Sequence, residues 1–202
     1  MLGKTHAAAG VATALLFSNP TGIAGVGLIA AFGCIGALLP DVDSKNSIAN
    51  KKLDSVIKVT TLASIVVAVL LFIMHGRNME VASANKINSL ALVKVIAFIS
   101  LLCISFIGSK TPHRSFTHSL EFTALTTLCV YFIYSSAALP FAIGILSHLA
   151  LDLLNKKKLS LVWCLRIRAG FGLVPANGQT NSFCYYLFVL ASIVLAVWRL
   201  FL

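Results

Sequence analysis

The sequence predicts an all-α fold, a polytopic bundle of about five to seven transmembrane helices that forms a single domain over residues 1–202. The first observation is composition: 58% of the residues are hydrophobic, only 11% are charged, and the mean hydropathy is +0.94. A disordered chain or an ordinary soluble globule does not have this composition. The second is that five apolar stretches reach the roughly 17–25 residues that a membrane-spanning helix needs. They are 22–39, 56–74, 91–108, 119–138 and 183–200.

Two further apolar segments, 5–18 and 139–154, are shorter or less uniform. We expect them to span the bilayer incompletely or to be buried by neighbouring helices. The first could be mistaken for a secretion signal. However, only Lys4 precedes its apolar run, it carries His6, and a second apolar segment follows at once. These features favour a retained helix over a cleaved signal peptide.

The net charge of +10 is distributed unevenly along the chain. When the seven segments are threaded alternately through a bilayer, four cations fall on one side and twelve on the other. Basic loops lie in the cytoplasm, so the charge predicts a multi-pass inner-membrane protein and an affinity for anionic lipids or phosphates. No nucleic-acid partner is expected, because no basic element is interleaved with aromatic residues. The twelve are Lys4, Lys45, Lys51, Lys52, Lys58, Lys110, Arg114, Lys156, Lys157, Lys158, Arg166 and Arg168.

Four short motifs hold four of the five histidines and three of the six acidic residues. Ionisable groups in or beside membrane spans are costly and are functional by default. Histidine and aspartate are also ligands of zinc, manganese and iron. The threading places all four motifs on the lysine- and arginine-rich side, so they predict one metal site at that membrane face. If residues 5–18 do not cross the membrane, the side of His6 changes while the other three motifs still share a face, and a single histidine there is usually an ordinary interfacial residue. The motifs are His6, Pro40-Asp41-Val42-Asp43, His113-Arg114-Ser115-Phe116-Thr117-His118-Ser119 and His148-Leu149-Ala150-Leu151-Asp152.

Two of the motifs lie at predicted helix ends. Asp41 and Asp43 follow Pro40 after the second apolar segment, where a carboxylate opposes the helix macrodipole. Metal ligation explains this placement better than capping does; a polar helix terminus at the interface is the alternative. His148 and Asp152 are four residues apart, a spacing that puts both on one face of a helix. They form half of a metal site or a self-satisfied hydrogen bond within the membrane.

The third motif precedes segment 119–138. If Ser115 or Thr117 caps this helix, His118 lies in its first turn and His113 on the incoming loop, so both imidazoles can reach one cavity. A basic loop at the membrane interface is the alternative interpretation. The guanidinium of Arg114 suits the oxygens of a phosphate.

Other polar residues are candidates for supporting roles. Glu121 follows His118 by three residues and could orient that imidazole or act as a general base. The basic loop 155–182 is predicted to lie in the cytoplasm over the mouth of the site. Within it, Arg166 and Arg168 bind the substrate phosphate or anchor the loop to anionic lipid. The remaining ionisable residues without a pattern are interpreted as solvated interfacial groups: His75, Glu80 and Asp54.

The motifs resemble those of the YdjM-like family of membrane-bound metal-dependent hydrolases, LexA-regulated inner-membrane proteins in some bacteria. The resemblance covers about residues 3 to 178 and rests on 38–43, 113–120 and 147–152, with His-Arg-x-x-Thr-His-Ser as its most specific part. The sequence departs from the family pattern in two places: residues 159–164 lack the expected prolines, and residues 177–181 lack an acidic residue. The resemblance implies hydrolysis and a metal held by His6, Asp41, Asp43, His113, His118, His148 and Asp152.

The resulting functional prediction is a hydrolase that cleaves a phosphoester of a phospholipid or lipid-linked phosphate with a metal-activated water. Seven candidate ligands exceed the three that a catalytic zinc takes from the protein, so one or two ions are expected, zinc first and manganese or iron next. The predicted catalytic residues are Asp43, Glu121 and Arg114. The alternative is a non-enzymatic divalent-metal transporter or metal-sensing membrane protein.

Overall fold

A computed structural model describes residues 1–44, 85–175 and 178–201, and it confirms the all-α helical class. The predicted segment 56–74 lies outside the described residues. Two 3-10 turns, Leu39–Asp43 and Phe116–His118, contain residues of the second and third motifs. The described helices are α1 (Gly3–Phe17), α2 (Gly22–Leu38), α3 (Asn85–Ser109), α4 (Leu120–Ile133), α5 (Ser135–Leu153) and α6 (Gln179–Phe201).

Four described segments are long and apolar enough to cross a membrane: Gly22–Asp43, Ser89–Ser109, Ser135–Leu153 and Gln179–Phe201. The predicted boundary between segments 119–138 and 139–154 is wrong. Tyr134 adopts an extended backbone, with φ −155° and ψ 98°, and this break shortens α4 to 14 residues and lengthens α5 to 19. At 1.5 Å per residue α4 is about 21 Å long, less than the roughly 30 Å hydrocarbon core.

Glycines allow α1, α2 and α5 to pack backbone against backbone, as small residues do in membrane bundles. A Cβ added to Gly10 of α1 would lie 2.5 Å from the carbonyl oxygen of Gly33 in α2. One added to Gly144 of α5 would lie 2.3 Å from that same oxygen, and one added to Gly36 would lie 2.2 Å from the carbonyl oxygen of Phe141. The carboxyl-terminal half of α2 is therefore held tightly between α1 and α5.

The short helix α1 is enclosed by its neighbours, since it contacts α2, α5 and α6. Its last carbonyls are satisfied by a side chain from α6. Arg199 donates to the oxygens of Leu15 and Leu16, at 3.2 and 3.0 Å, and to Oδ1 of Asn19 at 3.1 Å. Unpaired carbonyls in hydrocarbon cost several kcal/mol each, so this contact lets α1 end inside the bundle.

A β-hairpin lies between α5 and α6 and forms the one sheet among the described residues. Strand β1 (Leu159–Val162) pairs antiparallel with β2 (Ile167–Ala169). The turn between them is tight, and Arg166 adopts the left-handed conformation with φ 56°. The backbone N–H of Ser160 donates to the oxygen of Arg114 at 3.0 Å, which joins the hairpin to the third motif.

Candidate metal centre

Seven side chains from four elements converge at one end of the bundle. The amino end of α1 supplies one, the 3-10 turn after α2 two, the segment before α4 two, and the last turns of α5 two. Their ligand atoms form three overlapping groups, each with all atoms within 4.8 Å of one another. The groups are Asp41, Asp43, His113 and His118; His6, Asp41 and His148; and His118, His148 and Asp152. The structure thus brings together all the residues predicted as ligands.

The orientation of His148 is fixed by the backbone of α2. Its Nδ1 lies 2.7 Å from the carbonyl oxygen of Ala37. A carbonyl can only accept, so Nδ1 carries the proton and the lone pair of Nε2 faces the cluster. Hydrogen bonds of this kind set the tautomer of metal-binding histidines. The imidazole is fully buried and stacks on the ring of His6, with centroids 3.7 Å apart.

The orientation of His118 is fixed by a short hydrogen-bonded chain. The hydroxyl of Thr117 donates to Oδ2 of Asp43 at 2.6 Å. Its oxygen can therefore accept from Nδ1 of His118, which lies 3.0 Å away. This arrangement leaves the lone pair of His118 Nε2 directed at Nε2 of His148, at 3.3 Å. Two lone pairs that face each other at this distance repel unless a cation or a proton lies between them.

The carboxylate of Asp43 organises the loop that carries the third motif. Besides the Thr117 hydroxyl, it accepts from the backbone N–H of Arg114 at 3.1 Å and contacts Nδ1 of His113 at 2.7 Å. That hydrogen bond raises the pKa of His113 above its ordinary value, against the opposing effect of burial. Arg114 holds a left-handed backbone, φ 66°, a conformation that costs about 1–3 kcal/mol. The bond from its N–H to Asp43 helps to offset that cost.

Asp152 lies among several cations and imidazoles. Its Oδ2 is 3.0 Å from a guanidinium nitrogen of Arg114, 3.7 Å from Nε2 of His118 and 3.9 Å from Nε2 of His148. Its Oδ1 contacts Nε2 of His6 at 3.3 Å and the amino group of Met1 at 3.0 Å. The side chain is only 2% exposed, so this carboxylate is a buried anion in a place where positive charge collects.

Asp41 belongs to two of the three groups and is the most exposed of the three aspartates in the cluster. Its Oδ1 is 3.8 Å from Nε2 of His148 and 3.9 Å from Nε2 of His118, and its side chain is 22% exposed. A half-buried carboxylate oxygen beside two imidazole nitrogens has the chemistry of a further ligand for a metal bound there.

The donor set fits a divalent transition metal. In a tetrahedral zinc site with Zn–N bonds of about 2.0–2.1 Å, two imidazole nitrogens are about 3.3–3.4 Å apart. The separation between His118 and His148 has this value. In addition, Nδ1 of His6 is buried without a hydrogen-bond partner, and a buried polar atom of this kind is costly unless something binds it. The described residues could therefore hold one ion or two.

The other predicted site residues lie around this cluster. Arg114 contacts it directly and also donates to the backbone oxygen of Lys157. Arg166 and Arg168 line a cavity of about 570 Å³ next to the third motif, together with Ser115, Ser160, Trp163 and Cys164. The structure does not place Glu121 beside His118's imidazole nitrogens. Its carboxylate accepts the backbone N–H groups of Trp163 and Cys164, both at 3.0 Å, and so fastens the hairpin.

Several supporting groups were missed from the sequence. Thr117 was predicted only as a possible helix cap, yet it links Asp43 to His118. The cap of α4 is instead Ser119, whose hydroxyl accepts from the N–H of Phe122. The carbonyl of Ala37 orients His148, and a backbone atom leaves no signal in residue type. The Thr-His pair inside the motif was the available signal for Thr117.

The comparisons with known proteins bear on the whole chain. The family model described as YdjM inner membrane protein matches residues 1–202. No curated protein and no solved structure matches the chain.

Proposed function

Because the chain belongs to the YdjM inner membrane protein family and gathers a buried His/Asp cluster that could hold a metal ion, we propose that it is an integral membrane metal-dependent hydrolase. The proposed substrate class is a phosphoester of a phospholipid or a lipid-linked phosphate. The observation that carries the proposal is the position of Arg114. Its guanidinium lies 3.0 Å from Asp152 of the cluster, while the next residue, Ser115, lines the arginine-containing cavity.

The cluster has more ligands than one catalytic ion requires. His118, His148 and Asp152 would hold one ion, and His6 with Asp41 would complete a second position. A divalent ion bound there supplies Lewis-acid stabilisation of developing charge and lowers the pKa of water toward about 7. Zinc agrees best with the imidazole-rich donor set, and manganese or iron would also accept it.

The residues of the chain would position the substrate and carry the proton. Arg114 would neutralise the phosphate oxygens, and Arg166 and Arg168 would draw the anionic head into the cavity. We assign proton transfer to the pair of His113 and Asp43. Among the cluster histidines His113 is the exposed one, with 44% of its side chain accessible, so it can reach a substrate oxygen. Glu121 accepts hydrogen bonds from the hairpin backbone, so its role would be to hold the wall of the cavity in place.

We propose that this site faces the cytoplasm. The end of the bundle that carries the cluster also carries the exposed cations of the hairpin, among them Lys156, Lys157 and Lys158. Arg199 marks the opposite end, where it holds the last turn of α1. A basic excess at one end indicates the cytoplasmic side of a multi-pass protein.

A second candidate function follows from one observation. His118 and His148 are completely buried, which suits a site that binds a metal for sensing or transport without a substrate. A transporter also needs polar groups near the midplane and a path from both sides. Metal uptake by liposomes that contain the purified protein would favour this candidate over hydrolysis.

The proposed function is tested by metal analysis and hydrolysis assays on detergent-purified protein. The wild type should contain divalent metal and cleave phosphatidic acid or a lipid diphosphate, whereas Asp41→Ala and His148→Ala should lose both properties. Arg114→Gln should keep its metal and lose hydrolysis, because it removes the phosphate contact; Lys94→Gln, a cation on α3, is its matched control. Full hydrolysis by metal-depleted Asp41→Ala would contradict the mechanism.

A further inference from the structure

The hairpin segment carries an apolar surface that faces away from the protein. We call it the hairpin surface and define it by five side chains with exposed fractions between 44% and 70%: Trp163, Leu165, Ile167, Phe171 and Leu173. They lie within a connecting loop and not on a membrane-spanning helix, so their exposure is not explained by contact of a span with lipid. Large apolar side chains exposed together within one short loop indicate an interaction site.

Positive charge surrounds the same surface. No acidic residue occurs between Asp152 and the end of the sequence. The segment from 156 to 168 contains five exposed cations: Lys156, Lys157, Lys158, Arg166 and Arg168. Alternation of basic and large apolar side chains is the composition of elements that lie in the interface of an anionic bilayer. A protein partner with a mainly apolar face would leave these cations without counterions.

The hairpin is fixed to the ends of two helices. The N–H groups of Phe171 and Leu173 donate to the carbonyls of Leu153 and Leu154, at 2.7 and 2.9 Å, just where α5 ends. Glu121, at the start of α4, holds the tip of the hairpin through the backbone of Trp163. The surface is therefore kept at the level where a span leaves the bilayer, which is where tryptophan is enriched.

We propose that the hairpin surface docks on the anionic headgroup region of the bilayer in which the protein is embedded. The apolar side chains insert among the upper acyl chains, and the five cations contact lipid phosphates. The cavity lined by Trp163 and Arg168 then opens at headgroup level. This docking requires no metal and no hydrolysis, so it can be tested independently of the proposed function.

Tryptophan quenching tests the docking directly, because the chain contains two tryptophans. Trp198→Phe leaves Trp163 as the single tryptophan, and the protein is reconstituted into phosphatidylcholine vesicles with or without phosphatidylglycerol. We expect lipids brominated near the headgroup end of the chains to quench Trp163, and to quench it more strongly when phosphatidylglycerol is present. Lys156→Gln/Lys157→Gln/Lys158→Gln should lose the part of the quenching that depends on phosphatidylglycerol.

A charge-matched control is available among the described residues. Lys94→Gln removes one cation from α3, outside the hairpin, and it should leave Trp163 quenching unchanged, whereas the single variant Lys157→Gln should lower the quenching that depends on phosphatidylglycerol. Quenching by aqueous iodide with none by brominated lipid would show that the hairpin lies in water and would overturn the proposal. Quenching that is equal with and without phosphatidylglycerol would overturn its anionic part. Circular dichroism of each variant establishes that the helical content is retained.

Discussion

The packing of α5 on α2 at Gly144 leads to a prediction that links a substitution without any ligand chemistry to the metal site. We expect Gly144→Ala to weaken metal binding and stability together. The added Cβ would meet the carbonyl oxygen of Gly33 at 2.3 Å and the amide nitrogen of Ala37 at 3.0 Å. Both neighbours are backbone atoms, so no side chain can rotate away from the contact.

The size of the effect follows from these distances. Ordinary contacts begin near 3.4 Å, so α2 must recede from α5 by about 1 Å. The bond from His148 Nδ1 to the oxygen of Ala37, now 2.7 Å, would then reach roughly 3.7 Å, beyond hydrogen-bonding range. Loss of a contact that orients a metal-binding histidine costs about 10–100-fold in affinity. Overpacking of this kind also costs about 1–3 kcal/mol of stability.

The assay compares two glycine substitutions in the same tightly packed bundle. Gly27 of α2 has nothing within 4 Å of an added Cβ, so Gly27→Ala should bind metal as the wild type does and should be slightly more stable, because alanine favours helices. Metal affinity is measured by competition with a chromogenic chelator, and stability by thermal unfolding in detergent. If Gly144→Ala matched Gly27→Ala in both measurements, the coupling of helix packing to the site would be refuted.

Three further predictions follow from the contacts around the cluster. Thr117→Val removes the hydroxyl between Asp43 and His118, so metal affinity should fall about 10–100-fold, and Thr117→Ser should retain it. The pKa of Glu121 is lowered to about 2 because backbone N–H donors stabilise its carboxylate, although burial acts in the opposite direction. The contribution of Glu121 to stability, about 1 kcal/mol for a group that is only partly buried, should be complete above pH 4.5, the ordinary pKa, and should be lost as the pH falls toward 2. Glu121→Gln should lack this pH dependence when unfolding is followed by tryptophan fluorescence. Zinc at about 100 times its dissociation constant should stabilise the wild type by about 2.7 kcal/mol, and Asp152→Asn should lose most of that gain in thermal unfolding.

The helices were largely predictable because apolar runs of sufficient length form helices in a bilayer, whatever their detailed sequence. The boundary at Tyr134 was not. Residues 128–142, on both sides of the break, are apolar or aromatic apart from Ser135 and Ser136. The break is a change of backbone conformation at Tyr134 alone. Because α5 begins directly after it, Pro140 lies inside α5 and not near its start. The register of helix packing depends on Gly33 and Gly144, whose partners lie far away in sequence.

Six of the seven candidate ligands were predictable from residue type and spacing, because ionisable groups are rare and costly in so apolar a chain. His6 was expected from the family resemblance. What holds the ligands was less visible. Hydroxyls such as that of Thr117 commonly bond to their own helix, so the sequence does not show which of them bridges two ligands. Glu121 was predicted near His118 from a three-residue spacing. The 3-10 turn ends at His118 and α4 begins two residues later, so the two residues do not share one continuous helix and the spacing argument fails.

The contact of Arg199 with α1 also constrains the order in which the chain can assemble. At 15 residues α1 is about 22 Å long, so its last carbonyls cannot reach the far side of a bilayer about 30 Å thick. The group that satisfies them, Arg199, is synthesised more than 180 residues after Leu15. Newly made α1 is thus a poor membrane segment by itself and becomes a stable one only when α6 arrives. Since α1 carries His6, we expect the candidate metal site to be complete only after α6 has packed against α1.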